Sequence, residues 1–540
     1  MTAQKATDDH YDIIIIGSGI GALSTASIMA QLYDKRVLVL ERHYVVGGFT
    51  HAFKRPDKSR GGGGNKAKYE WDVGVHYIGV MAEGDPERGL FDFITNSKLK
   101  WNKMPEPFEK FHYPGLDFDL YGEPKRYRDD LVKRFPDEEA NIDGLFADVK
   151  KVSAWTNTRL GASTMAQPAR FFVDLWNKRH DAMALQTTEQ YLNKRFKDPK
   201  LRAVMASQWG CYGLPPSRSC FHMHALIIDH FIRGGYYPEG GAAEMAANVM
   251  PVVEAKGGAF LINQQVTEIL VEGGKAIGVE TLSGKGAKQV TKRYYAPAIV
   301  SNVGAYNTYA KLLPPDIGGE QAKHLEKFLA PSTGATVYLG LKESARTLGF
   351  EGENHWIFKN FDHEANANGA GVLAGDPQFC FLSFPSLKNT QASTHTSEIL
   401  SFVEYDDFEK WAGKGWKKRG EDYEALKDKI AKGLINLVDE TYPGFADLVE
   451  YVEVSTPITV EHFSGHEKGA IYGLEASSER FREVPFGAHT KIKGLYLTGA
   501  DIFTIGIVPA MVTGLMTAGA MVGPFGFFKV LKDMKARSAA

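Results

Sequence analysis

The residues best placed to do chemistry lie near the start of the chain. Gly17-Ser18-Gly19-Ile20-Gly21-Ala22 has the form G-x-G-x-x-A. Gly17 permits a tight turn, bare Gly19 lets a pyrophosphate approach the backbone, and Ala22 keeps the following helix close to its strand. Free N–H groups at the start of that helix offer the phosphates a partial positive charge. Glu41 stands 24 residues after Gly17, near the ~20-residue spacing of the acid that binds ribose hydroxyls. A carboxylate there repels a 2′-phosphate, so the site is not built for NADP. His222 and His224 alternate with no Cys, Asp or Glu at ligand spacing before Asp229, which argues against a metal. No second dinucleotide turn is found; Gly273-Gly274 and the glycines of 284–286 read as hairpin turns.

The elements that must carry this turn are legible around it. The apolar run Asp12–Ile16, a helix over Leu23–Leu32 and a second run Val37–Leu40 make β–turn–α–β, closed by Glu41. Strands are expected at Ala259–Ile262, Val266–Val271, Ala276–Glu280, Ala298–Val303 and Gly494–Thr498. Ser97 to Arg233 reads as helical and aromatic-rich. Glu421–Tyr442 reads as a charged amphipathic helix and a solvated face. Arg60–Asn65, with four consecutive glycines, reads as a flexible loop.

Composition narrows the class. The chain has 540 residues, enough for two large domains or three smaller ones. Lys+Arg is 63 against Asp+Glu 65, and this neutral balance argues against nucleic acid as a partner. Cys211, Cys220 and Cys380 are too few for a disulfide framework. With a polar start and no signal-peptide pattern, the expected location is the cytoplasm.

Five separated segments then resemble one group of proteins. Glu41-Arg42, followed by Gly47-Gly48-Phe49-Thr50, is similar to the second flavin motif of the amine oxidase and phytoene desaturase flavoproteins. Gly494-Leu-Tyr-Leu-Thr-Gly499-Ala-Asp501 is similar to their C-terminal flavin segment. Tyr69-Glu-Trp-Asp-Val-Gly-Val-His-Tyr-Ile-Gly79, Tyr212-Gly-Leu-Pro-Pro216 and Gly235-Tyr-Tyr-Pro-Glu-Gly-Gly241 narrow the resemblance to the retinol saturase family. The resemblance implies FAD rather than NAD, with Asp501 on the ribityl chain, Gly499 at the pyrophosphate and Val266 as a backbone contact for adenine. It implies an α/β fold: a discontinuous FAD-binding Rossmann-like domain (8–98, 236–305 and 486–528) with an inserted mixed α+β substrate domain (99–235 and 306–485). It places Gly74 close to the flavin, so His76 and Tyr77 become proton-transfer candidates, with Tyr212, Tyr236 and Tyr237 as further ones.

Ile502–Phe528 has no charged residue across 27 positions. Its glycines and prolines favour a buried helix from about Pro509 to Val522 over a membrane span, its positive end towards the flavin. Residues 529–540 read as a basic tail. In Pro168–Leu185, residues Phe172, Leu175 and Trp176 share one helical face flanked by Arg170, Lys178 and Arg179, a pattern suited to a membrane surface.

The expected function is an FAD-dependent oxidoreductase acting on carbon–carbon double bonds of a lipophilic polyene: a carotenoid, retinoid or unsaturated lipid. An external electron donor or acceptor is implied, with peripheral membrane contact as a further expectation. The alternatives are a redox-neutral isomerase of such a lipid, an amine oxidase-like flavoenzyme, and a non-catalytic flavin-bound lipid carrier.

Overall fold

The computed structural model describes residues 9–56, 68–165, 169–329 and 332–538. The glycine run at Arg60–Asn65 lies outside the described residues.

The dinucleotide turn belongs to a parallel sheet of five strands: β1 (Ile13–Ile16), β2 (Val37–Leu40), β3 (Ala259–Leu261), β4 (Ala298–Ser301) and β5 (Leu495–Leu497), in the order β5-β4-β1-β2-β3. Every residue of β1 and β2 is buried, because both faces of the sheet are covered. Ile13, Ile15, Val37 and Val39 join the core under the helices, while Ile14, Ile16, Leu38 and Leu40 join the opposite one. That second face is roofed by an antiparallel sheet of Gln264–Glu272, Lys275–Ser283 and Val290–Tyr295.

On the helical face, Ile20–Tyr33 packs along Ile507–Val522. Small residues allow the close approach: Thr25 Oγ1 reaches Gly21 O at 2.8 Å and Gly514 O at 3.4 Å. The apolar stretch ends after Val522, where the next helix, Gly526–Ser538, turns away by 110°. Among the described residues, no single helix is long and apolar enough to cross a membrane.

The expected tail is helical instead over its described part. Val530 and Met534 are buried in the dinucleotide-domain core, the Tyr33 hydroxyl donates to Asp533 at 3.0 Å, and Arg537 donates to Gln31 O at 2.9 Å.

A second sheet of seven strands runs Val449–Ser455, Gly334–Leu341, His395–Phe402, Phe379–Ser383, Asn354–Phe358, Glu109–Tyr113, Leu116–Leu120. Helix Glu421–Thr441 covers one face, and the aromatic-rich helices between Pro124 and Phe231 cover the other. The expectation of helix throughout 97–233 is therefore corrected at its start. Trp101–Lys103, Glu109–Tyr113 and Leu116–Leu120 are strands, the last two a hairpin turned at Gly115 with φ +69°. Their alternation, Glu-Lys-Phe-His-Tyr then Leu-Asp-Phe-Asp-Leu, has the two-residue period of a strand.

Candidate functional site

The sheet order reverses at β1, between neighbours β4 and β2. A crevice opens beyond the strand ends at such a point. Gly17, ending β1, has φ +84°, a conformation that excludes a side chain at low cost. A Cβ on Gly21 would stand 2.9 Å from Ala510 O and 3.0 Å from Gly499 N. The first turn of one helix thus meets the first turn of another nearly 500 residues later, and Gly499 lies against the Gly17–Ala22 turn. Gly47 and Gly48 close the other side: a Cβ on Gly48 would be 2.9 Å from Gly19 Cα.

One polar chain fixes this cradle. Glu41 Oε2 accepts from Ser18 N at 3.0 Å and Ser18 Oγ at 2.6 Å, and Oε1 accepts from His43 N at 2.7 Å. Ser18 Oγ in turn accepts from Gly47 N at 3.0 Å. Thr50 Oγ1 donates to Gly47 O at 2.8 Å. Asp501 Oδ2 accepts from Ala305 N at 2.7 Å and Oδ1 from Leu474 N at 2.9 Å, so this carboxylate also ties two loops to the crevice.

Gly17, Ser18, Gly19, Gly21, Glu41, Arg42, Gly47, Gly48, Phe49, Thr50, Gly499 and Asp501 all line one cavity of about 960 Å³. Ala22 is buried beneath the turn, where it keeps helix and strand together. Two of the expected contact residues are not in the cavity lining. Val266 packs into the core with Leu40 and Ile269, because its strand roofs the far face of the sheet. At the second helix Gly506, Ile507 and Ala510 face the cavity, and Pro509 does not. The residues present fit FAD. The glycine cradle admits a pyrophosphate, Glu41 keeps acceptor capacity for ribose, and the start of Ile507–Val522, with no acid in its first turn and no side-chain cap, leaves N–H groups for an electron-rich ring.

The proton-transfer candidates are not at the cavity. Val73 and Gly74 line it, but the residues flanking them turn inward. His76 Nδ1 lies 3.0 Å from Glu398 Oε2, whose side chain is buried. Asp72 accepts from the Tyr237 hydroxyl and from Ala242 N at 3.1 Å. Burial and the charge of Glu398 push the Asp72 carboxyl up to about 7. Lys388, donating to His76 O at 2.6 Å and Asn354 Oδ1 at 3.1 Å, is pulled down to about 8 by burial. Tyr77 stacks on Phe231 at 4.2 Å and donates to Glu109, which burial pushes up to about 7. Tyr212 bonds His224 Nδ1 at 3.1 Å within the aromatic core. Tyr236 bridges Ile78. The hydroxyls of Tyr77, Tyr212 and Tyr237 are spent on buried partners, and burial holds all three well above the ordinary phenol range.

The cavity wall instead carries residues that sequence reading missed. Asn302, just past β4, fills the gap between the two glycine segments; a Cβ on Gly19 would stand 2.6 Å from its Nδ2 and one on Gly499 2.8 Å from its Oδ1. A polar residue ending a buried strand at the switch point was the available signal. His466 and Tyr472 flank the Asp501 side, with Tyr472 donating to Gly210 O at 2.9 Å. Further out, Phe53, Tyr338 and Tyr451 form an aromatic wall, Phe53 and Tyr338 meeting edge-on at 4.8 Å. The outer end is charged: Arg55 grips Glu453 through two bonds of 2.6 Å, and Arg419, Tyr423, Glu424 and Lys427 line it too. Helix Glu421–Thr441 is therefore not a purely solvated face, since its first turns border the cavity.

The NAD(P)-binding Rossmann-like domain family matches residues 15–93. Among solved structures, cyclohexylamine oxidase from Brevibacterium oxydans superimposes with a TM-score of 0.59 at 14% identity, covering 98% of this chain and 99% of that one. A putrescine oxidase triple mutant gives 0.60 at 13%, covering 95% and 99%. These two share the fold. The prolycopene isomerase of Arabidopsis thaliana is 25% identical, covering 98% of this chain and 85% of the relative. The all-trans-retinol 13,14-reductase of Homo sapiens is 30% identical over 98% of this chain and 88% of its own length. That of Danio rerio reaches 33% over 96% and 87%. With the glycine cradle, the ribose acid and the C-terminal flavin segment assembled at one crevice, and identity sustained across nearly the whole of both chains, this chain belongs to the all-trans-retinol 13,14-reductase family, within the phytoene desaturase and carotenoid isomerase group of flavoproteins.

Proposed function

We propose that this chain is an FAD-dependent oxidoreductase that adds hydrogen to, or removes it from, a carbon–carbon double bond of a lipophilic polyene such as a carotenoid, a retinoid or an unsaturated lipid. The observation that carries this reading is one continuous cavity, lined both by the dinucleotide cradle and by the aromatic residues Phe53, Tyr338 and Tyr451. When bound there, FAD supplies hydride transfer at its ring system. The chain's own residues bind, orient and exclude water. Gly19 and Gly48 admit the pyrophosphate, Glu41 takes the ribose, and the start of Ile507–Val522 favours negative charge at the ring end. The aromatic wall suits a flat conjugated chain and keeps bulk water out.

Proton handling falls to the groups that reach the cavity. His466 Nδ1 lies 2.9 Å from Ala470 O. Donating there, a neutral ring offers Nε2 as an acceptor, which suits proton removal in the desaturating direction. The electron partner is separate, since the chain has a single dinucleotide turn. Contact with a lipid surface fits helix Ala169–Asn177, where Phe171, Phe172, Leu175 and Trp176 are each more than half exposed beside Arg170, Lys178 and Arg179.

Anaerobic incubation of the reduced protein with a panel of polyenes and unsaturated fatty acids tests the reading by mass. A gain of two hydrogens means saturation. A redox-neutral isomerase, the second reading, is favoured by the likeness to prolycopene isomerase and gives altered retention without mass change. Protein purified without yellow colour, and unable to take up FAD, overturns both.

A further inference from the structure

Arg419 lies in the cavity wall and is only 4% exposed. Its guanidinium has no acid partner among the described residues. Nη1 donates to the Tyr423 hydroxyl at 3.0 Å and to Thr459 Oγ1 at 3.3 Å, and Nη2 donates to Ile458 O at 2.8 Å. All three acceptors are neutral, and Nε has no hydrogen-bond partner. Two acids of the same lining are engaged elsewhere, Glu424 by Lys427 at 2.8 Å and Glu453 by Arg55. Tyr423, itself 2% exposed, lies beneath both cations, with Arg419 Cζ 5.2 Å and Lys427 Nζ 5.4 Å from its ring centre.

A buried cation with no counter-ion is strongly disfavoured unless an anion completes it. With both Nη1 hydrogens committed to hydroxyls, the edge of the guanidinium fork left for an anion is that of Nε and Nη2, whose N–H groups can donate in parallel to the two oxygens of a carboxylate. We infer that the outer end of this cavity binds the carboxylate of the substrate, with Arg419 as its anchor, so that the substrate class is a long-chain lipophilic carboxylic acid. The inference rests on the oxidoreductase reading for the identity of the cavity. The acid end sits at Arg419, and the hydrocarbon runs inward along Phe53, Tyr338 and Tyr451 towards the flavin end. Arg419 is a binding residue here and handles no proton.

The test uses the flavin-loaded protein and two matched pairs: retinoic acid with methyl retinoate, and linoleic acid with methyl linoleate. Binding is read by quenching of tryptophan fluorescence, with Trp416 in the cavity lining. The wild type is expected to bind at least one acid about tenfold to hundredfold more tightly than its ester, the worth of one charge-assisted pair. Arg419→Gln is expected to remove that preference and leave ester binding within about twofold. Arg419→Lys keeps charge without the fork and is expected to retain only part of it. If Arg419→Gln loses its melting transition, Arg419→Lys and Tyr423→Phe carry the test. Equal binding of acid and ester by the wild type, or a preference unchanged in Arg419→Lys and Arg419→Gln, overturns the inference. Whichever acid binds more tightly separates a polyene acid from a fatty acid. An Arg419-dependent preference without hydrogen transfer supports the subsite while refuting the redox reading.

Discussion

Glu109 offers a measurement that isolates one buried group. Its side chain is fully buried, accepts from Tyr77, from Trp356 Nε1 at 2.8 Å and from Gln208 Nε2 at 2.7 Å, and has no cation beside it among the described residues. Burial raises its folded value to about 7 from 4.5. The folded state therefore holds a proton that the unfolded chain releases. Its contribution is fully present below about pH 4.5 and is lost as pH rises through about 7, at about 1.4 kcal/mol per pH unit. Across that window the loss is about 3 kcal/mol. Glu109→Gln keeps the shape and cannot ionise. Urea midpoints of both proteins, taken at about pH 5 and about pH 8, measure the difference. The variant is expected to gain about 2.5 kcal/mol on the wild type between the two conditions, since the unfolded carboxyl is already mostly ionised at about pH 5. Asp72 and Lys388 also titrate in this range, but both proteins share them and Glu109 is not among the charges acting on Asp72, so their slopes cancel. Parallel curves for the two proteins would refute the claim that this carboxyl is buried without a counter-charge.

Three further outcomes follow from the geometry. Gly21→Leu drives a side chain at Ala510 O and Gly499 N, 2.9 and 3.0 Å from where its Cβ would stand, and is expected to abolish FAD uptake, read by the flavin absorbance of purified protein. Lys388→Met leaves Asp72 and Glu398 buried without their cation and is expected to destabilise the fold by about 3–5 kcal/mol in urea unfolding; a loss under about 1 kcal/mol would show that the carboxyls simply take up protons. Phe172→Asp with Trp176→Asp removes two side chains that are 64% and 65% exposed, and co-sedimentation with anionic vesicles is expected to fall about tenfold or more, with flavin content unchanged.

The dinucleotide half was legible because its signals are local. A strand, a glycine turn and an acid at fixed spacing impose one geometry, and the isoleucine run of β1 could only be buried on both faces. The C-terminal segment was legible through resemblance, since nothing local ties Gly499 to Gly21. What was not legible depends on which way a side chain points after a turn. His76 and Tyr77 sit two and three residues from Gly74, yet they turn beneath the cavity wall while Gly74 faces it. Arg419 and Asn302 gave no motif; the first becomes meaningful only once Tyr423, Thr459 and Ile458 surround it. The mixed lining of the cavity, aromatic at Phe53, Tyr338 and Tyr451 and charged at Arg55, Arg419, Glu424 and Lys427, was not legible either, because it is assembled from strand Val449–Ser455, the start of Glu421–Thr441 and residues far earlier in the chain.

The seam between Ile20–Tyr33 and Ile507–Val522 explains why one ligand can organise so much of the chain. Both helices begin at the same crevice, and neither N-terminus has a side-chain cap. Two sets of unsatisfied N–H groups, each with a partial positive charge, therefore converge where water or an anion must meet them. A dinucleotide with a pyrophosphate at one helix and an electron-rich ring at the other satisfies both at once. Ordering that ligand closes a loop of nearly the whole polypeptide, whose entropic cost grows only slowly with length. The contacts at Gly21, Gly499 and Ala510 then hold the closure. Any ligand that binds only this closed form stabilises it by mass action, so flavin content and global stability should rise and fall together across variants of either helix. Variants of the seven-stranded sheet, which does not carry the seam, should separate the two.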